Sequence, residues 1–152
     1  MTIRMRPARR EDVAAIVALL ADDPMGGERE RVGDPPAASY LAAFERIAAE
    51  PRVLLVVAED DGGAVVGTLQ LAFIPGLSNQ GGELALLSAV RISGARRGQG
   101  LGARMVEWAM AEARRRGCGI IELLTHASRV DAQRFYERLG FTPSHVGMRR
   151  PL

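Results

Sequence analysis

Arg96-Arg97-Gly98-Gln99-Gly100-Leu101-Gly102-Ala103, running at once into the amphipathic stretch Arg104 to Arg116, decides the reading of this chain. Three glycines at alternate positions, set between two arginines and a helix start, leave several backbone N–H groups bare. The helix dipole adds partial positive charge where those groups point. The pattern reads as a pyrophosphate cradle made by the amides of Gly98, Gln99, Gly100, Leu101, Gly102 and Ala103, with Arg97 as a charge-assisted neighbour. Glycine suits such a cradle because a Cβ would block the ligand's approach. Two better-known phosphate loops are excluded, since the spacing is not G-x-G-x-x-G and no Gly-Lys-Ser/Thr ending is present. Taken alone, the same residues also fit a structural turn before a helix.

Working outward, Leu84 to Ile92 is an apolar, strand-like run that feeds the loop, and Gln99 to Arg116 is the helix that follows it. In that helix Leu101, Met105, Trp108 and Ala109 form one stripe, with Arg104, Glu107 and Glu112 away from it. Ile120 to Leu124 reads as a fifth strand, parallel to the fourth across the intervening helix. Before these, Thr2 to Arg6 reads as an opening strand and Arg9 to Leu20 as a helix with Val13, Ile16, Val17 and Leu20 at helical spacing. Asp22-Asp23-Pro24-Met25-Gly26-Gly27 breaks that helix and opens a long loop to Pro36, followed by a second helix from Ala37 to Ala49. Val53 to Ala58 and Val65 to Ile74, joined through Asp60-Asp61-Gly62-Gly63, read as a β-hairpin. A loop spans Pro75 to Gly82, a fourth helix lies near Arg129 to Leu139, and a last strand is expected after Pro143. The chain is thus of the α/β class, α+β in type, with one domain over residues 1–152.

All 20 basic residues are arginines and the net charge is +2. Their short clusters are scattered and interleaved with acids such as Glu107 and Glu112, so no continuous basic stripe supports a nucleic-acid partner. The opening residues carry no apolar run of signal-peptide length, and no segment approaches the roughly 18 apolar residues of a membrane span. A cytoplasmic protein with no membrane partner is expected. Cys118 is the one cysteine, which rules out an internal disulfide; with only His126 and His145 beside it there is no metal-ligand spacing, and no metal is expected. At a helix-to-strand junction Cys118 reads as a buried thiol in preference to a nucleophile.

The phosphate loop matches R-x-x-G-x-G through Arg97, Gly100 and Gly102. Some thirty residues on, Asp131-Ala132-Gln133-Arg134-Phe135-Tyr136-Glu137-Arg138-Leu139-Gly140-Phe141 matches A-x-x-F-Y-x-x-x-G-F without a gap. Its local physics is coherent: Ala132, Phe135, Tyr136 and Leu139 share a helical face, and Gly140 stands where a C-cap needs positive φ. Both motifs, in this order and spacing, resemble the GNAT N-acetyltransferase superfamily, in its bacterial small-molecule branch. The resemblance covers nearly the whole chain.

The resemblance implies a GNAT fold, a mixed and mostly antiparallel sheet of six to seven strands flanked by about four helices. It implies acetyl-CoA as co-substrate and transfer of its acetyl group to the primary amine of a small molecule by direct attack in a ternary complex. The loop from Asp22 to Pro36 would lie over the acceptor site. The pantetheine arm would pair with the main chain of Val90 and Ile92, and Tyr136 would sit near the cofactor sulfur. A phenol of pKa about 10 can protonate a thiolate of pKa about 8.5, so general acid is the role implied for Tyr136, a core tyrosine being the alternative. Close relatives read Ile-Glu-x-Val-Arg-Val on the fourth strand, where this chain reads Leu87-Ser88-Ala89-Val90-Arg91-Ile92. Ser88 thus stands where the family's carboxylate would be, and serine is no base without a partner. Glu83 is the substitute base considered, although five positions from Ser88 puts it on the opposite strand face unless a bulge intervenes. His126 and His145 titrate in a useful range and are the other candidates at the substrate side. Arg129 replaces an asparagine that touches the cofactor in many members. The stretch Thr125 to Met148 is also similar to bacterial relatives that acetylate small amines, aminoalkylphosphonates among them, which points to an acidic acceptor. Dimerisation is common in the family, and the final strand could serve as an exchange or pairing edge, so a homodimer is among the expectations. A catalytically weak acyl-CoA-binding sensor of the same fold is the alternative function.

Overall fold

Alternating apolar positions and tight turns assemble strands β1 (Ile3–Pro7), β2 (Val53–Asp60), β3 (Val65–Ile74), β4 (Leu84–Ile92) and β5 (Ile120–Leu123) into one sheet in chain order. The structure, a computed structural model, describes residues 2–152. Every neighbouring pair is antiparallel except β4 and β5, which run parallel. The β2–β3 turn shows why that hairpin closes: Asp60 Oδ1 accepts from the amides of Gly62 and Ala64, each at 3.0 Å, and Gly63 takes φ 81°. The hairpin register then places Val56 opposite Leu69 and Val57 opposite Thr68.

Both sheet faces are covered. Val56, Ala58, Leu69, Leu71, Phe73, Ala85 and Leu87 bury against Leu101, Met105, Val106, Ala109 and Ala113 of helix α3 (Leu101–Arg115). Val57, fully buried between Val56 and Ala58, points to the other face by the strand's two-residue period. There helix α1 (Val13–Ala21) supplies Val13, Ile16, Val17 and Leu19, and helix α2 (Ala38–Ala49) follows it onto β2. Helix α4 (Val130–Arg138) closes the far end, with Phe135, Tyr136 and Leu139 packed on the α3-side core. At the sheet's first edge Arg6 pairs with Asp12 at 2.7 Å and Glu59 at 2.6 Å, tying β1 to β2 and to the start of α1.

Among the described residues five strands stand where six to seven are expected, and the strand expected after Pro143 is not formed. Residues 142–152 are exposed, with Val146 at 89% and Met148 at 90%. A strand needs a hydrogen-bonded edge and a covered apolar face. This segment has neither within its own chain, and Pro143 and Pro151 remove two donors.

The feature that positions the site is in β4. Between Thr68 and Gln70 of β3 there is one residue, whereas between their partners Arg91 and Ser88 there are two, so β4 bulges at Ala89, which takes φ 51°. Pairing of β4 with β5 stops at Leu87 and Leu123, and residues 88–92 have no partner on that side. The two parallel strands therefore part.

Candidate active site

A cavity of about 580 Å³ opens where β4 and β5 separate, a size ordinary for a small-molecule site. One wall is the loop before α3. Gly100, the N-cap, has φ 79° and carries no capping side chain, and the first helical amide to find a carbonyl is that of Arg104. The amides of Leu101, Gly102 and Ala103 are thus the orphan donors of the helix start, facing the positive end of its dipole. Gly98 and Gly100 are required by their left-handed φ of 74° and 79°, with open space where a Cβ would stand. Gly102 is required for a different reason: a Cβ there would come within 2.9 Å of Ile92 Cδ1 and 3.2 Å of Phe135 Cζ. The glycines of one motif serve separately to bend the loop and to let α3 approach β4 and α4.

Cross-links hold this loop in place. Arg97 donates to the Asp22 carbonyl at 2.6 Å and to its carboxylate at 3.0 Å, the amide of Gly94 reaches that carboxylate at 3.2 Å, and Arg96 pairs with Asp60 at 3.0 Å. Gln99 braces the loop from within by donating to the Ala95 carbonyl. The Arg97 pair is half exposed and contributes little by itself, which leaves the guanidinium available to an anion.

Tyr136 lines the cavity from α4, beside Val90 and Ile92 of β4. Its ring is set edge-on against Phe135 at 5.0 Å and Phe141 at 5.7 Å. Gly140, at φ 92°, ends the helix so that the Phe141 amide returns to the Tyr136 carbonyl. Burial pushes the Tyr136 phenol above its ordinary value of 10, and the nearby charges of Arg129 and Arg91 only partly oppose this. The phenol is a protonated donor across the neutral range.

The opposite wall comes from the loop after α1. Asp23 accepts from the amides of Met25 and Gly26, both at 2.7 Å, and its second oxygen stands 2.7 Å from Arg91 Nε. That contact is an ion pair without a well-directed hydrogen bond, although both atoms are buried. Burial raises the Asp23 carboxyl, but the two amides, Arg91 and Arg129 outweigh it and hold the group below its ordinary value. Further along, Tyr40 donates to Glu30 at 2.8 Å and accepts the Arg31 amide at 2.9 Å, pinning the loop to α2.

Of the residues singled out from sequence, Val90, Ile92, Arg97, Gly98, Gly100, Leu101, Gly102, Ala103 and Tyr136 meet on this cavity. Gln99 stands behind it. Ser88 lies opposite Gln70, just before the bulge, and does not reach the wall. Glu83 precedes the strand at the other end of β4, with its carbonyl bonded to the Gly119 amide, away from the cavity. Because β4 pairs regularly from Leu84 to Ser88, no bulge brings Glu83 to the face of Ser88. His126 folds onto its own turn, Nδ1 meeting Ser128 Oγ at 2.7 Å, and His145 meets Ser144 Oγ at 2.8 Å; both are exposed and off the wall. Cys118 packs on the core, and burial pushes its thiol up. Among the described residues no cluster could hold a metal ion. Asp23, Pro24, Arg91, Arg96, Arg129, Ala132 and Phe135 complete the wall. Asp23 reads from sequence only as a helix breaker, and no local signal carries it 68 residues to Arg91.

The sheet thus parts at β4 and β5 beside an uncapped helix start and a buried phenol. The chain belongs to the acetyltransferase (GNAT) family, whose model matches residues 13–141. Acetyltransferases of this family use acetyl-CoA. The chain is similar to a Bacillus halodurans C-125 protein described as a transcriptional regulator, at 42% identity and a TM-score of 0.95, covering 99% of this chain and 100% of that one. It is 43% identical to the aminoalkylphosphonate N-acetyltransferase of Salmonella typhimurium (strain LT2) over 56 residues, 37% of this chain and 36% of that protein. The match therefore spans about a third of that curated relative. The fold is shared with glucosamine-6-phosphate N-acetyltransferase of Arabidopsis thaliana, at a TM-score of 0.81, 21% identity and 99% coverage of both chains.

Proposed function

We propose that this chain is an N-acetyltransferase that moves an acetyl group from acetyl-CoA to the primary amine of a small molecule, both bound at once. The observation that carries the reading is the continuity of one cavity from the uncapped amides of α3, along the unpaired edge of β4, to the buried hydroxyl-bearing ring of Tyr136. These residues fit the donor: the amides of Gly98 to Ala103 would hold its diphosphate, with Arg97 beside them, and the main chain near Val90 and Ile92 would align its amide-bearing arm. Acetyl-CoA supplies an activated thioester. The amine nitrogen forms a bond to the carbonyl carbon, the carbon–sulfur bond breaks, and Tyr136 gives its proton to the departing thiolate. The proton released from nitrogen restores the phenol, so the protein ends unchanged. Glu83 and Ser88 receive no step, since neither reaches the cavity, and the amine enters after losing its proton to solvent.

Purified protein mixed with acetyl-CoA and a panel of small primary amines should release free thiol above the amine-free background. Failure to bind either CoA or acetyl-CoA in calorimetry would refute the assignment. A second reading is an acyl-CoA-binding sensor, supported by the description of the Bacillus halodurans relative and by Ser88 at the family's carboxylate position. Tight acetyl-CoA binding without thiol release for any amine selects it. We further infer a homodimer: the accessible surface of 9833 Å² exceeds the roughly 7,500 Å² of a compact monomer of this mass, and Val146 and Met148 are bare. Light scattering should return twice the chain mass.

A further inference from the structure

Four arginines stand on the cavity wall, and three already face a carboxylate: Arg91 with Asp23 at 2.7 Å, Arg96 with Asp60 at 3.0 Å and Arg97 with Asp22 at 3.0 Å. Arg129 is the fourth. Among the described residues its guanidinium has neither an ion pair nor a hydrogen bond, and Asp131 in the adjoining helical turn does not pair with it. Arg129 is the exposed N-cap residue of α4 and stands on the cavity wall, and its charge acts on the Asp23 carboxyl and the Tyr136 phenol. Tyr136 marks the end where the thioester would lie, the Gly98–Ala103 amides marking the diphosphate end.

An unpaired guanidinium on a concave wall presents a planar fork that matches carboxylate and phosphate-like oxygens and repels a bare alkylammonium. Asp23 is the one carboxylate on the wall among the described residues, and it is buried and already engaged by Arg91 and by the Met25 and Gly26 amides. Among the described residues the wall therefore leaves Arg129 as its one charge without an ion-paired partner. We propose that Arg129 determines acceptor specificity by receiving an anionic group, so that the preferred acceptors are small zwitterions bearing an amine together with a carboxylate, phosphate or phosphonate. The inference rests on the acetyl-transfer reading and deepens it. The anion is held at Arg129, and the amine end lies toward Tyr136.

Calorimetry on the CoA-loaded protein tests this with β-alanine, O-phosphoethanolamine and 2-aminoethylphosphonate against propylamine, which separates the three anions from one another and from a neutral tail. At least one anionic amine should bind about tenfold or more tightly than propylamine. Arg129→Gln should bring that amine to the propylamine level while the CoA dissociation constant stays within about twofold, and Arg129→Lys should restore part of the difference. Equal binding of anionic and neutral amines, or no binding of the anionic ones, overturns the proposal. So does weaker CoA binding by Arg129→Gln with an unaltered amine ratio, which would give the guanidinium to the donor. Thiol release by the unaltered protein with propylamine judges acetyl transfer separately.

Discussion

Tyr136 is held by rings and by the helix end at Gly140, which fixes its hydroxyl without engaging it. Removing that hydroxyl changes the chemistry and leaves the packing. Tyr136→Phe should lower kcat by about a hundredfold, within the usual worth of a general acid, with the acetyl-CoA dissociation constant unchanged. The pH dependence has a definite sign: the phenol donates only when protonated, and its pKa is raised, so the alkaline loss of kcat should begin above the ordinary value of 10 and be missing in Tyr136→Phe. A kcat unaltered by the substitution removes Tyr136 from the reaction. Gly100 acts through the backbone alone. Gly100→Ala has room for its methyl group but must hold φ 79°, a cost of about 1–2 kcal/mol, and titration should show CoA affinity reduced by about tenfold. At this scale the motifs were legible because each residue's task is local. The division of labour among the glycines was not, since only packing shows that Gly102 yields space to Ile92 and Phe135.

Strand β3 and helix α3 meet at Gly67, where a Cβ would stand 2.7 Å from Met105 Sδ. Met105 is fully buried and reaches the sheet only because the strand has no side chain there. Gly67→Ala should cost about 1–3 kcal/mol by overpacking, and Met105→Ala about 2–5 kcal/mol by leaving a cavity. The methyl added at Gly67 enters the space that Met105→Ala vacates, so urea unfolding of the double variant should show less destabilisation than the sum. Simple additivity would mean the two sites do not touch. The main helices and strands were readable from apolar spacing, with ends within a residue or two except at α1, which was expected from Arg9 and begins at Val13 after a separate turn at Arg10–Asp12. The bulge was not. Ala89 has no preference for its left-handed φ of 51°, and the extra residue appears only when β3 and β4 are aligned. The last strand was misread because alternating apolar residues mark a strand only where an edge receives them.

Across the whole molecule the arginine-rich composition becomes a set of ion pairs between distant elements. The carboxyl of Asp12 is raised by burial but held below its ordinary 3.8 by Arg6, and Arg6 likewise leads in holding Glu59 below 4.5. The unfolded chain therefore binds more protons than the native one as these groups titrate, and stability must fall as pH drops. Their stabilisation is complete above the ordinary carboxylate values and disappears as pH falls through the lower native ones. Thermal unfolding followed from pH 6 to pH 3 should show a falling Tm, less steep in Asp12→Asn, which also starts lower because Arg6 loses a buried partner. A Tm insensitive to acid would show that the network adds no net stability.

Turns, helix caps, strand alternation and the two glycine-bearing motifs are relations among residues a few positions apart, and hydrogen bonding and side-chain periodicity over such spans determined them from sequence alone. The cavity wall is made by contacts such as Arg97 with Asp22, 75 residues apart, and Arg91 with Asp23. No short-range rule selects those partners. Only the packing of both sheet faces and the parting of β4 from β5 decided which charges meet and which one, Arg129, is left facing the cavity.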